Sequence, residues 1–205
     1  MLRVLAVACG LSASVAGGAL GENGRAISER QIQRVMRQSF AGASPPWLQR
    51  LQPDATMAQC STWHNKPPGN VADEIKAREY KSIRYPADRN FIGSWKRGEK
   101  LAQSGYGLRF TDDSAKRPNG GNCYACHQLS PQEVSFGTIG VSLKGYGKLH
   151  KTDTTAQIVY EKIYNSQSAV ACSLMPRFGT NGILSIDDIR DLVAYLLDPE
   201  SPVNK

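Results

Sequence analysis

The feature that most constrains this chain of 205 residues is the run Cys123-Tyr124-Ala125-Cys126-His127. Cys-x-x-Cys-His is the motif that attaches c-type haem. Two thiols three positions apart on one helical turn can both form thioethers with the porphyrin vinyl groups, and the next histidine then lies beneath the iron as proximal ligand. The motif therefore predicts one covalently attached haem c, held by Cys123 and Cys126, with His127 on the iron.

Two other uses of paired cysteines fit the chain less well. A structural zinc site needs four ligands, and the sequence has no second Cys-x-x-Cys and no suitable histidine pair. A thioredoxin-type dithiol belongs at a strand-to-helix junction in a βαβ pattern, which this sequence lacks. The motif therefore favours haem over zinc or dithiol chemistry.

The second axial ligand has five candidates: Met175, Met57, Met36, His64 and His150. Met175 lies in the run Leu174-Met175-Pro176-Arg177-Phe178-Gly179 between two predicted helices, where a proline-anchored loop can present a sulfur to the haem face. A lone methionine more often just fills a core, but this position favours Met175. Coordination by His127 and Met175 fills both axial positions and raises the reduction potential relative to bis-histidine coordination. We therefore expect electron transfer, and no catalytic residue.

The N-terminus has the layout of a cleaved secretory signal peptide over residues 1–19. It contains one basic residue, Arg3, then an apolar run, then small residues up to Ala19, in the order typical of such signals. The run Ala6-Val7-Ala8-Cys9 resembles a lipoprotein cleavage box, but a cut there would leave an unusually short apolar region. We therefore expect cleavage near Ala19, a periplasmic protein, and no membrane span, since no apolar stretch near 20 residues follows.

The remaining cysteines predict a disulfide. Of five cysteines, Cys9 is removed with the signal peptide and two belong to the haem motif, which leaves Cys60 and Cys172. Disulfides persist in exported proteins because the compartment is oxidising. A Cys60–Cys172 bond requires Cα atoms within about 7 Å of each other.

The charge pattern narrows the choice of partners. The net charge is +7, and the basic residues are scattered without long runs. Such a surface is either simply solvated or guides an acidic protein partner. No nucleic-acid-binding motif accompanies the charge, so nucleic acid is not an expected partner.

Helical periodicity predicts a mostly α fold. The helices are expected at 28–40, 71–83, 92–103, 154–164 and from Ser185 onward, with an irregular stretch between the first two. Ser28 is a predicted N-cap, Asp153 or Thr152 is predicted to cap the fourth helix, and Ser185 with Asp188 forms a predicted capping box. The expected organisation is a signal peptide (1–19), an α-helical N-terminal extension (20–86), a cytochrome domain (87–199) and a C-terminal tail (200–205).

From Trp95 onward the chain resembles class I cytochromes c. The resemblance is carried by the Cys-x-x-Cys-His motif, the Met-Pro-x-Phe-Gly loop, Gly140-Val141-Ser142-Leu143 and a last helix ending Val193-Ala194-Tyr195-Leu196. It implies the class I fold, in which the first and last helices of the domain cross, here with Gly98 against Tyr195. It also implies that a carbonyl accepts the ring N–H of the proximal histidine, at a position where Val141 replaces the proline frequent in the family.

A longer set of motifs resembles the SoxX family, the monohaem subunits of SoxAX cytochromes in bacterial sulfur oxidation. These motifs are Gly121-Asn122-Cys123-Tyr124-Ala125-Cys126-His127-Gln128, Tyr85-Pro86-Ala87-Asp88 and Trp95-Lys96-Arg97-Gly98-Glu99-Lys100.

The SoxX resemblance implies a periplasmic heterodimer with SoxA, transient contact with the SoxYZ carrier and a downstream cytochrome as electron acceptor. The complex would be an L-cysteine S-thiosulfotransferase, with this chain as its electron-accepting subunit. The extension would wrap the partner or shield the haem edge. The alternatives are a free-standing periplasmic electron shuttle and a haem enzyme such as a peroxidase.

Overall fold

A computed structural model describes residues 27–113, 116–152 and 154–205. The predicted signal peptide, with Cys9, lies outside the described residues, and so does Asp153. The chain consists of two compact units, one ending at Ala41 and the other spanning Gly42–Lys205. The described part of the first unit contains helix α1 (Glu29–Ser39), which begins at the predicted cap Ser28 with a capping box to Gln31.

The second unit is helical, and its described residues contain no strand, which confirms the mostly α prediction. Its helices are α2 (Pro45–Arg50), α3 (Ala55–Thr62), α4 (Gly69–Tyr80), α5 (Trp95–Gln103), α6 (Tyr146–Leu149), α7 (Thr155–Tyr164) and α8 (Ile186–Leu197). Short 3₁₀ turns lie at Cys123–Ala125, Ser166–Ser168 and Pro202–Asn204. Across the part of the chain described, no helix is long and apolar enough to cross a membrane.

The region between the first two predicted helices is not irregular, and that expectation was wrong. Pro45 begins α2, because proline is tolerated at the first helical position. Helix α3 begins after Asp54, whose carboxylate accepts the N–H of Met57 at 2.8 Å. Helix α4 ends at Tyr80 rather than at the predicted Ile83.

Helices α5 and α8 cross at Gly98, as the cytochrome resemblance predicted. A Cβ added at Gly98 would lie less than 3.0 Å from backbone atoms of Asp191 and from the Cβ of Tyr195. Asp191 also holds the start of α5, since its buried carboxylate accepts the N–H of Ser94 at 2.7 Å and the guanidinium of Arg97 at 2.6 Å. The glycine thus lets the two backbones touch, and Asp191 fixes where they meet.

Helix α8 forms the centre of the core. It begins with the predicted capping box of Ser185 and Asp188, and its Ile189, Val193 and Tyr195 are fully buried. The C-terminal residues pack beside it, since Val203 is fully buried. Residues of α7 and α8 line the same cavity as Cys123, His127 and Met175. The segment around Met175, residues 171–179, is called the Met175 loop.

Candidate haem-binding site

The Cys-x-x-Cys-His motif forms a single tight turn. Asn122 leads into it in the left-handed region, at φ 48°, and the N–H of His127 donates to the carbonyl of Cys123 at 2.9 Å. Neither Cys123 nor Cys126 is part of a disulfide. Both sulfur atoms and the imidazole therefore belong to one short stretch of backbone.

The tautomer of His127 is fixed by a backbone carbonyl. Its Nδ1 lies 2.7 Å from the carbonyl oxygen of Val141. A carbonyl can only accept, so Nδ1 carries the proton and Nε2 offers a lone pair. Histidines that bind metals are commonly oriented by such a bond. Val141 thus supplies the acceptor that the class I resemblance implied.

Two glycines let the following loop press against this turn. A Cβ at Gly140 would come within 3.0 Å of the His127 ring, and one at Gly137 would collide with the carbonyl of Ala125. The N–H groups of Gly137 and Gly140 donate to the carbonyls of Tyr124 and Cys126, each at 2.8 Å. The loop is therefore bonded to the motif at two points and leaves no room for a side chain beside the imidazole.

Met175 faces the same cavity as the haem motif. The residues around this apolar cavity are Cys123, His127, Leu129, Leu143, Ile163, Met175, Phe178, Leu192, Tyr195 and Leu196. The other candidates in the second unit do not line this cavity: Met57 is 39% exposed on α3, and His64 and His150 are exposed. Met36 belongs to the first unit.

The donor set of this cavity fits a covalently bound haem. Its apolar lining combines the thiol of Cys123, the imidazole of His127 and the thioether of Met175, and Cys126 of the same turn adds a second thiol. These are the groups that would hold a haem c.

A disulfide joins the Met175 loop to α3. Cys60 and Cys172 are bonded, with their Cα atoms 5.5 Å apart. Both are 6% exposed and form a small buried cluster with Ile75. The bond connects two segments 112 residues apart in the chain.

A buried polar cluster at the other end of this loop was not predicted from the sequence. Arg177 donates to Asp54 at 2.5 Å and to Glu79 at 3.1 Å. Glu79 also accepts from Asn165 at 2.7 Å and from Thr56. We call these five residues the Glu79 cluster. Arg177 lies within the Met-Pro-x-Phe-Gly motif, but its partner Glu79 is 98 residues away, so no local signal could reveal the pair.

The cluster keeps Glu79 charged. Burial raises the pKa of Glu79, but hydrogen bonds from Asn165, Thr56 and Arg177 outweigh this effect, and the net pKa lies below its usual value. For Asp54, burial likewise raises the pKa, and hydrogen bonds from Met57 and Arg177 bring it below the usual range. The two carboxylates therefore stabilise the folded chain in their ionised form.

Comparison with known proteins identifies the class. The family model described as Cytochrome c matches residues 95–198, which is just over half of the chain, and the chain therefore belongs to the cytochrome c family. It is a mostly helical member of this family, and the match supports a covalently bound haem c and haem-based electron transfer.

A protein of Aquifex aeolicus (strain VF5), described as an uncharacterized lipoprotein, is similar to this chain. The two are 44% identical over 138 residues, which are 66% of this chain and 64% of that protein. The chain thus spans less than two thirds of the length of this relative.

Proposed function

We propose that this chain is the electron-transfer haem c subunit of a periplasmic SoxAX complex. In such a complex it accepts electrons while thiosulfate is coupled oxidatively to a cysteine of the SoxYZ carrier. Its role as an electron carrier rests mainly on one observation: Cys123, His127 and Met175 line a single apolar cavity. The sulfur-oxidation role rests on the SoxX-like motif at residues 121–128 and on the upstream blocks.

The proposal gives each site residue a role. Cys123 and Cys126 would attach one haem, which would supply single-electron chemistry. His127 would bind its iron through Nε2, because the carbonyl of Val141 holds the proton on Nδ1. Met175 would be the second ligand and would raise the reduction potential relative to a second histidine. The apolar lining would keep water from the iron, which suits electron transfer better than peroxide chemistry.

The axial ligand can be tested with two methionine variants. Met175→Ala should abolish the far-red absorption band that arises from sulfur-to-iron charge transfer. Met57→Ala is the matched control, because Met57 is partly exposed on α3 and does not line the cavity. It should keep the band. A band that survives in Met175→Ala would exclude Met175 as the ligand.

The partner can be tested by affinity capture of the tagged mature protein from the periplasm of its source organism, followed by mass spectrometry and haem staining. A stoichiometric second cytochrome with thiosulfate-dependent haem reduction supports the SoxAX proposal. An untagged strain gives the background. Capture of this chain alone would instead favour the free-standing electron shuttle.

Export is part of the same proposal. The signal-like residues 1–19 support cleavage near Ala19, and the name of the Aquifex relative favours a second possibility, lipid attachment at Cys9. The intact mass of the mature protein distinguishes the two, because an acylated N-terminal cysteine retains residues 10–19 and adds the mass of the lipid.

A further inference from the structure

The Met175 loop is anchored on both sides of Met175 by the segment that precedes the cytochrome domain. Three residues before Met175, Cys172 is bonded to Cys60 on α3. Two residues after it, Arg177 pairs with Asp54 at the start of α3 and with Glu79 on α4. Helices α3 and α4 therefore hold the loop at two points that flank the proposed ligand.

Between these anchors the loop is open to solvent. Leu174 is 77% exposed and Pro176 is also exposed. The turn after α7 also bonds to the loop, since the hydroxyl of Ser166 donates to the carbonyl of Met175 at 2.6 Å and the side-chain amide of Gln167 donates to the carbonyl of Ser173 at 3.3 Å. Cys172 has a left-handed backbone, with φ 58°, a conformation that is unfavourable for a residue other than glycine. The surroundings, including the disulfide, must hold it there.

We propose that α3 and α4 act as a clamp that keeps the Met175 sulfur on the haem iron. The clamp has two parts, which we call its jaws: the Cys60–Cys172 bond and the Glu79 cluster. The residues of both parts position Met175 without touching the iron. The inference rests on the proposed role of Met175, and it assigns a ligand-holding task to a segment outside the matched cytochrome family region, which begins at residue 95.

The physical reason is that Met175 can leave the iron only if the loop moves. A disulfide restricts the conformations open to the segment it joins. A buried ion pair is costly to break, because the remaining partner keeps its charge in a poorly solvated position. Removing either jaw should therefore raise the population of open loop conformations while the helical core remains folded.

The test is the rate at which imidazole displaces the sixth ligand in the ferric holoprotein. Two variants each remove one jaw: Cys60→Ala combined with Cys172→Ala, and Glu79→Gln. We expect each to exchange at least about tenfold faster than the wild type, which corresponds to about 1.4 kcal/mol. The far-red sulfur-to-iron band should also weaken in each.

Arg97→Gln is the matched control. Like Glu79→Gln it breaks the ion pair of a buried carboxylate, but it does so by removing the basic partner, and at the α5–α8 crossing, where Arg97 pairs with Asp191 at 2.6 Å. It should lower the denaturation midpoint and leave the exchange rate unchanged. If the clamp variants lose global stability but exchange like the wild type, the disulfide and the cluster serve the fold alone, and the proposal is wrong.

Two further results keep the test decisive. If the cysteine variant yields no holoprotein, Asp54→Asn replaces it, because Asp54 is partly exposed and forms the outer ion pair with Arg177. Asparagine can still cap α3 by accepting the N–H of Met57. A faster exchange in that variant supports the clamp, and an unchanged rate in both it and Glu79→Gln contradicts it. Absence of the far-red band from the wild type contradicts the proposed ligand itself.

Discussion

At the scale of single residues, backbone groups determine the tautomer of His127 and the packing of its ring. The carbonyl of Val141 fixes the tautomer, and Gly140 leaves the imidazole face against bare backbone. The spacing of the cysteines and His127 could be read from the sequence. The contact between Gly140 and the ring could not, because it depends on how the loop after the motif folds back.

Gly140→Ala should disturb the proximal ligand. The new Cβ would lie within 3.0 Å of the ring, so either the ring or the loop must shift and the bond to Val141 must stretch. Loss of groups that orient a metal-binding histidine typically costs about 10- to 100-fold in affinity. We expect a clear rise in the fraction of high-spin ferric haem, measured by absorption spectroscopy.

Gly42→Ala is the control for that experiment, since no atom lies within 4 Å of a Cβ at Gly42. It should retain a wild-type spectrum. A fully low-spin spectrum in Gly140→Ala would mean that the loop adapts to the methyl group without moving the ring.

At the scale of elements, the sequence predicted helices that carry a clear cap or an apolar stripe. Each of the helices α1 and α8 begins with a capping box. It missed α3, whose residues Ala-Thr-Met-Ala-Gln-Cys-Ser-Thr show no apolar stripe. That helix is held instead by the Asp54 cap, the buried Thr56 and the disulfide at Cys60. The partners of Thr56 and Cys60 are distant in sequence, and such contacts produce no periodic pattern in the sequence.

Gly98→Ala should weaken the crossing of α5 and α8. Alanine improves helix propensity by up to about 1 kcal/mol, but its Cβ would meet backbone atoms of Asp191 at less than 3.0 Å. Overpacking of this kind costs about 1–3 kcal/mol, and a rigid backbone neighbour favours the upper part of that range. We expect a net loss of about 2 kcal/mol in the free energy of unfolding, measured by denaturant titration of the holoprotein.

The comparison variant is Gly69→Ala in the first turn of α4, where a Cβ meets nothing within 4 Å. It should be neutral or stabilising by about 0.5 kcal/mol. Equal effects from the two substitutions would show that helix propensity, and not the α5–α8 contact, decides the outcome.

At the scale of the whole molecule, residues from distant parts of the chain cooperate around the Met175 loop. The cysteine count predicted the Cys60–Cys172 pair, since elimination left no other partners. The cysteine count had no counterpart for Glu79, Asn165 and Thr56, because polar residues on helices and in irregular stretches are normally solvated. Only the packing of α4 against the turn after α7 encloses them, with Glu79 5% exposed and Asn165 fully buried.

The Glu79 cluster predicts how stability depends on pH. The pKa values of Glu79 and Asp54 are lowered in the folded chain, so their stabilisation is fully present above the unfolded values, about 4.3 and 3.9. It is lost as the pH falls through the folded values, because protonated carboxyls no longer pair with Arg177. Glu79→Gln should cost about 2 kcal/mol at pH 7 and should show a shallower loss of stability in acid.

The measurement is the free energy of unfolding of the ferric holoprotein by denaturant titration at a series of pH values from neutral down to about pH 3, a range that spans the unfolded carboxyl values. Asp73→Asn is the control on the same helix, since its ion pair with Lys76 is exposed and such pairs contribute little. It should follow the wild-type curve. If Glu79→Gln keeps the full acid dependence, other carboxylates cause it, and the buried cluster stabilises the loop through packing and hydrogen bonds rather than through charge.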